Sequence, residues 1–140
     1  MYKFDKNHQF GLADFNQPMG LKMNPENRWV KKAETIPWEA IEEKYAALFP
    51  GKKGMPAKPL RTALGSLLIQ KQLQFSDREL VEEIRENPYF QYFIGLPGYQ
   101  DTIPFVPSEY SCAMKSHFRK FGNQMSGSGN HLYNYASLLA

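Results

Sequence analysis

The clearest hydrophobic pattern runs from about Pro59 to Leu73. Leu60, Ala63, Leu64, Leu67 and Leu68 recur at i, i+3, i+4, i+7 and i+8, the spacing of a helix that buries one stripe. Gly65 stands inside that helix, where glycine costs about 1 kcal/mol relative to alanine, so it marks a close approach to a neighbouring element. Upstream, Trp38, Ile41, Tyr45 and Leu48 follow Ile36-Pro37 at helical spacing. Proline suits a first helical position because its missing N–H would have no partner there. Glu39, Glu42, Glu43 and Lys44 fall on the opposite, solvated face, and Pro50-Gly51 ends the segment.

Downstream lies FSDRELVEEIRENPYFQYFIGL, residues 75–96. Ser76 and Glu79 form a capping box, each side chain satisfying a backbone donor of the other, and Phe75 and Leu80 are placed as its hydrophobic staple. Leu80, Val81 and Ile84 supply the buried face. Asn87 precedes Pro88 and is pushed out of the helical region, which stops the helix. The aromatic run Tyr89–Leu96 then reads as a core plug. A fourth helix is expected from Ser108 to about Phe121, with Tyr110, Ala113, Met114 and Phe118 inward. Residues 1–34, punctuated by Gly11, Pro18, Gly20 and Pro25, read as an extended arm that packs through scattered aromatics. Residues 35–121 read as the helical domain and 122–140, with SGSGN, as a flexible linker-like tail. The predicted fold class is all-α, a small bundle of about four helices, with no strand set and no repeat.

Composition narrows this little. Apolar content is 42% and mean hydropathy −0.54. Aromatic content is 14%, with ten Phe, eight Tyr and two Trp, so rings can supply much of a small core. A lone cysteine, Cys112, rules out an internal disulfide framework and suits a reducing compartment. No apolar run reaches the roughly 18 residues of a membrane span, and the N-terminus lacks a signal peptide's apolar stretch. A cytoplasmic location without membrane partners is expected.

No catalytic constellation stands out. Phosphate chemistry on two metals needs several converging carboxylates, whereas Glu39, Glu42, Glu43, Asp77, Glu79, Glu82, Glu83 and Glu86 lie on faces expected to be solvated. His8, His117 and His131 are too scattered for a zinc site. GKKGMPAKP, residues 51–59, lacks the GxxxxGK[ST] spacing of a P-loop. No cofactor or metal is expected of these residues.

Binding has more support. A net charge of +3 and pI near 8.9 permit nucleic acid as a partner. Residues 59–73 and 76–87, joined by two or three residues, have helix-turn-helix proportions. The second helix carries five acids against two arginines, Arg78 and Arg85, a net −3, and phosphate rows would repel it from a groove. DNA contacts are therefore expected from Lys52, Lys53 and Lys58, from Arg61, and from Lys115, Arg119 and Lys120. Arg78, in the first turn, is also within reach of a phosphate, and Arg28, Lys31 and Lys32 are further candidates.

WVKKAETIPWEAIEEKYAALFP, KPLRTALGSLLIQKQLQFSDRELVEEIRENPYFQYFIGL, PFVPS and HFRK together resemble the N-terminal region of bacterial insertion-sequence transposases of the DDE class. The resemblance covers roughly residues 10–121. It implies a helical region that recognises the terminal inverted repeats of the element, ahead of an RNase H-like domain whose Asp-Asp-Glu set binds divalent metal. That metal is expected only in the catalytic domain, and no catalytic residue carries over to this chain. Beyond HFRK the family pattern departs into FGNQMSGSGNHLYNYASLLA, and EYSCAMKS is irregular beside it. Truncation, with a frameshift, is the expectation these departures raise. Besides DNA, the expected partners are a second copy or full-length transposase, the latter an association that would inhibit assembly. A remnant without a role is the other alternative.

Overall fold

The computed structural model describes residues 11–17, 22–47, 49, 51, 58–116 and 119. Six helices follow in order: α1 (Arg28–Thr35), α2 (Trp38–Ala46), α3 (Leu60–Leu73), α4 (Asp77–Glu86), α5 (Pro88–Phe93) and α6 (Pro107–Glu109), the last running into a π-helical turn, Tyr110–Met114. The described residues contain no strand, and the all-α class is met. One backbone bridge, between Asn16 and Gly98, ties the N-terminal segment to the loop after α5. Asn16 N–H donates to the Pro97 carbonyl at 3.0 Å, and Tyr99 N–H donates to the Asn16 carbonyl at 2.8 Å.

The helix α1 was not expected, because residues 1–34 read as extended. The breakers Gly20 and Pro25 precede Asn27, whose side chain accepts from Trp29 N–H at 2.9 Å and caps the helix. Trp29, Val30 and Ala33 then share its buried face. The arm's Phe15 is buried, edge-on to Tyr92 with ring centres 5.8 Å apart.

The other helices follow the sequence with corrections, the largest that the fourth helix, expected from Ser108 to about Phe121, is α-helical only over Pro107–Glu109 before the π-helical turn. On α2, Trp38, Ile41 and Tyr45 are buried as expected, but Glu42 is buried too, contrary to its solvated placement. Leu48 lies outside the described residues. On α3, Leu60, Ala63 and Leu68 are buried as expected, whereas Leu64 and Leu67 of the expected stripe are only half-buried and Ile69, Thr62 and Ser66 are buried instead, because α3 is packed on more than one side. The two hydroxyls are satisfied by Ile94 and Thr62 carbonyls at 3.0 and 2.7 Å. Gly65 meets α5 as its placement implied: an added Cβ would lie 3.2 Å from Ile94 Cγ2 and 3.3 Å from Ile94 Cα.

The capping box holds. Ser76 Oγ accepts from Glu79 N–H, and a Glu79 carboxylate oxygen accepts from Ser76 N–H at 2.8 Å. Asn87 ends α4 and caps α5 through Tyr89 N–H at 2.9 Å. The aromatic block is itself helical, and Phe90, Tyr92, Phe93 and Ile94 are buried as the expected plug. Phe93 meets Trp29 and Trp38 edge-on at 5.1 and 5.7 Å. Gln91, fully buried, brings its amide nitrogen within 3.0 Å of the Ile84, Arg85 and Gln100 carbonyls and accepts from Gln100 N–H at 2.9 Å. The first two belong to the last turn of α4, whose carbonyls lack intrahelical donors. Tyr110 and Met114 point inward as expected, whereas Phe118 lies outside the described residues.

Candidate nucleic-acid interface

The helix pair α3–α4 supplies the frame. Helix α3 ends at Gln74 in the left-handed conformation, φ 57° and ψ 38°, a geometry that costs a non-glycine residue free energy. Phe75 and Ser76 complete a three-residue turn into α4. Helix α4 presents acids outward, and its Arg85 is already paired with Glu82 at 2.7 Å and Glu86 at 3.8 Å. Its acidity argues against a place in a DNA groove.

Several of the described candidate cations are engaged within the fold. Lys52, Lys53 and Lys120 lie outside the described residues. Lys58 is drawn toward α6, donating to the Pro104 carbonyl at 3.2 Å and pairing with Glu109 at 3.5 Å. Arg61 requires the plainest correction, because it is 8% exposed. Its guanidinium donates to the Phe93 and Tyr92 carbonyls at 3.1 and 2.9 Å and lies 5.3 Å from the ring centres of both Trp38 and Tyr92. Those carbonyls sit at the end of α5, so Arg61 acts as its C-terminal cap and is turned away from solvent. Burial lowers its pKa, with Tyr92 opposing. Arg78 and Arg119 are exposed.

Lys115 is engaged as well. It pairs with Asp77 at 2.6 Å and lies 5.0 Å from the Tyr110 ring centre. Asp77, expected on a solvated face, is instead a junction. It also accepts from Ser111 Oγ and from Gln70 Nε2, and Gln70 in turn accepts from the Tyr110 hydroxyl. Partial burial would raise the Asp77 pKa, but hydrogen bonds from Lys115, Ser111 and Gln70 outweigh it and hold the carboxyl at about 2. Burial, with Asp77 nearby, pushes the Tyr110 phenol above its ordinary value. This cluster joins α3, α4 and the π-helical turn, so it is structural.

Two further candidates do come together. Arg28 Cζ and Lys32 Nζ stand over the same Trp29 ring, at 5.6 and 5.3 Å from its centre. Lys32 also donates to Gln72 Oε1 at the end of α3. Desolvation, and then repulsion from Arg28, lowers the Lys32 pKa. Lys31 pairs with Glu26. The legible signal for the pair was the RWVKK order, which places Arg28 and Lys32 one helical turn apart once α1 is known to be helical.

Other chemistry is sparse. No group of three or more His, Cys, Asp or Glu among the described residues is arranged to hold a metal ion. The open depression beside Pro37, Trp38 and Ala40 is rimmed by Glu39 and Glu43, an unsuitable setting for a phosphate. No described helix is long and apolar enough to cross a membrane.

A helical module built on a helix-turn-helix-proportioned pair, with cations on a separate helix, is the class these features define. Residues 19–136 match the model of a transposase domain family, DUF772, and the chain belongs to that family. The chain is also 31% identical over 94 residues to an uncharacterized protein, ORF8 in the nfe locus of Rhizobium meliloti. That match covers 67% of this chain and 45% of the relative, so the chain spans about half the length of the curated relative it matches. No solved structure matches it.

Proposed function

We propose that this chain is the DNA-binding helical region of an insertion-sequence transposase, recognising the terminal inverted repeats of the element. Strand cleavage and transfer belong, on this reading, to a metal-dependent catalytic domain of different sequence. The observation that carries the proposal is membership of the transposase-domain family across residues 19–136. The α3–α4 pair, the net charge of +3 and the exposed Arg28 beside half-buried Lys32 on α1 support it.

The chain would act by holding DNA through its phosphates, with register set by a limited number of base contacts. The acidic α4 would face away from the duplex or meet it only at its first turn, near Arg78. A gel-shift titration of the full chain tests the reading, with duplexes carrying the element's ends against random duplex at about 0.15 M salt, because non-specific binding weakens steeply with salt. Preference for the ends is expected. Equal binding to both, or none, would overturn it.

A further inference from the structure

We propose that Arg28 and Lys32 of α1 form a two-phosphate clamp for duplex DNA, and that α1, not α4, supplies the backbone contact that orients this domain. The proposal rests on the DNA-binding reading above and deepens it by naming the contact surface.

Three observations converge on these residues. The two charges share one helical face, and each lies within 5.6 Å of the centre of the same indole. They are therefore no farther apart than twice that distance. Successive phosphates on one strand advance about 3.4 Å along the duplex axis, and the bound admits neighbouring phosphates. Trp29, the platform beneath them, is buried and wedged edge-on against Phe90 and Phe93 at 5.2 and 5.1 Å. The indole beneath the two cations is thus fixed by the core.

The second observation is what the cations lack. Among the described residues neither Arg28 nor Lys32 has a carboxylate partner. Their neighbours are an indole and the Gln72 amide oxygen, both neutral. Lys31, Lys58, Arg85 and Lys115 are each paired with an acid, and Arg61 is buried on carbonyls. Two like charges held together without a counter-ion repel each other, and an anion placed between them relieves that repulsion.

The third is position. The Lys32–Gln72 hydrogen bond fastens the clamp to the last turn of α3, where exposed Lys71 adds a further cation. The clamp therefore abuts the C-terminal end of α3. Phosphates held there would fix how the α3–α4 turn meets the duplex, which is the usual role of backbone contacts. Arginine offers a planar fork to one phosphate, and lysine a point charge to the next.

The test is the salt dependence of duplex binding by the full chain and by Arg28→Gln, Lys32→Gln and the double variant, with Lys44→Gln on α2 as the charge-matched control for each single variant. Circular dichroism establishes that each variant is folded. Loss of two phosphate contacts should flatten the slope of log K against log salt by about 1.8, at roughly 0.9 per contact for B-DNA. Each single variant should lose more affinity on every sequence than the control, which removes the same one charge. If the wild-type chain binds but the double variant keeps its slope and affinity, the clamp is wrong and the DNA-binding reading stands. If the wild-type chain binds no duplex even at low salt, both fail together.

Discussion

Arg61 carries a permanent charge into the interior, where two carbonyls at the end of α5 accept from it, Tyr92's while also accepting from Gly95 N–H at 3.0 Å. Its planar fork reaches both while its face lies between two rings. A lysine has one donor centre and no fork. Arg61→Lys should therefore lower unfolding free energy by about 1–3 kcal/mol, the usual cost of orphaned buried polar groups, as read by urea denaturation. DNA affinity per folded molecule should stay unchanged. A variant of normal stability that binds DNA less well would return Arg61 to the interface. Gln91 invites the same reasoning: Gln91→Leu strands the Gln100 N–H and carbonyl groups at the end of α4. It should destabilise by at least about 2 kcal/mol, with an unchanged denaturant slope. Neither role was legible in the sequence. Composition and spacing mark Arg61 as one basic residue beside a basic loop, and only the packing of α3 on more than one side reveals it as buried.

Helix α4 was the most legible element, since its start, stop and buried face all arise from local chemistry. A capping box and an Asn-Pro boundary act over a few residues and need no tertiary partner. What the sequence could not disclose is the junction at Asp77, whose partners Gln70, Ser111 and Lys115 come from two other elements. That junction has a pH signature. The Asp77 carboxyl is held at about 2, below the ordinary value of about 3.9, so its contribution is fully present above pH about 4 and is lost as pH falls toward 2. Solvent screening of this partly exposed pair keeps the effect on the order of 1 kcal/mol. Asp77→Asn should remove that part of the acid dependence in pH-resolved thermal melts, and an unchanged acid limb would refute the assignment. The Glu79 carboxyl is also held low, first by the Ser76 backbone N–H. Helix α1 was the opposite case. Proline and glycine upstream obscured an eight-residue helix whose stability comes from seating Trp29 among α5 rings, a tertiary gain that local propensity does not register.

Across the whole molecule the core is organised around Phe93, which lies edge-on to both tryptophans, Trp29 of α1 and Trp38 of α2. The aromatic block reads as core from its composition, because rings supply large buried area in a short chain. Composition could not pair those rings with particular partners, because the partners lie more than fifty residues away along the chain. Such a hub makes unfolding cooperative. Losing α5 from its site exposes both indoles at once and frees Arg61 and Gln91 from the carbonyls they satisfy. Tryptophan emission and far-UV circular dichroism should therefore report coincident urea midpoints, as expected of a single domain under about 150 residues. Phe93→Leu keeps an apolar side chain but removes two edge contacts of about 0.5–1.5 kcal/mol each. Both midpoints should then fall together, by about 1–3 kcal/mol in free energy. If the fluorescence midpoint moved while the dichroism midpoint stayed, α1 and α2 would be separable from the α3–α4 pair. The Lys32–Gln72 tether would then be too weak to hold a DNA clamp in register with that pair, so the cooperativity of the fold is itself a condition on the interface.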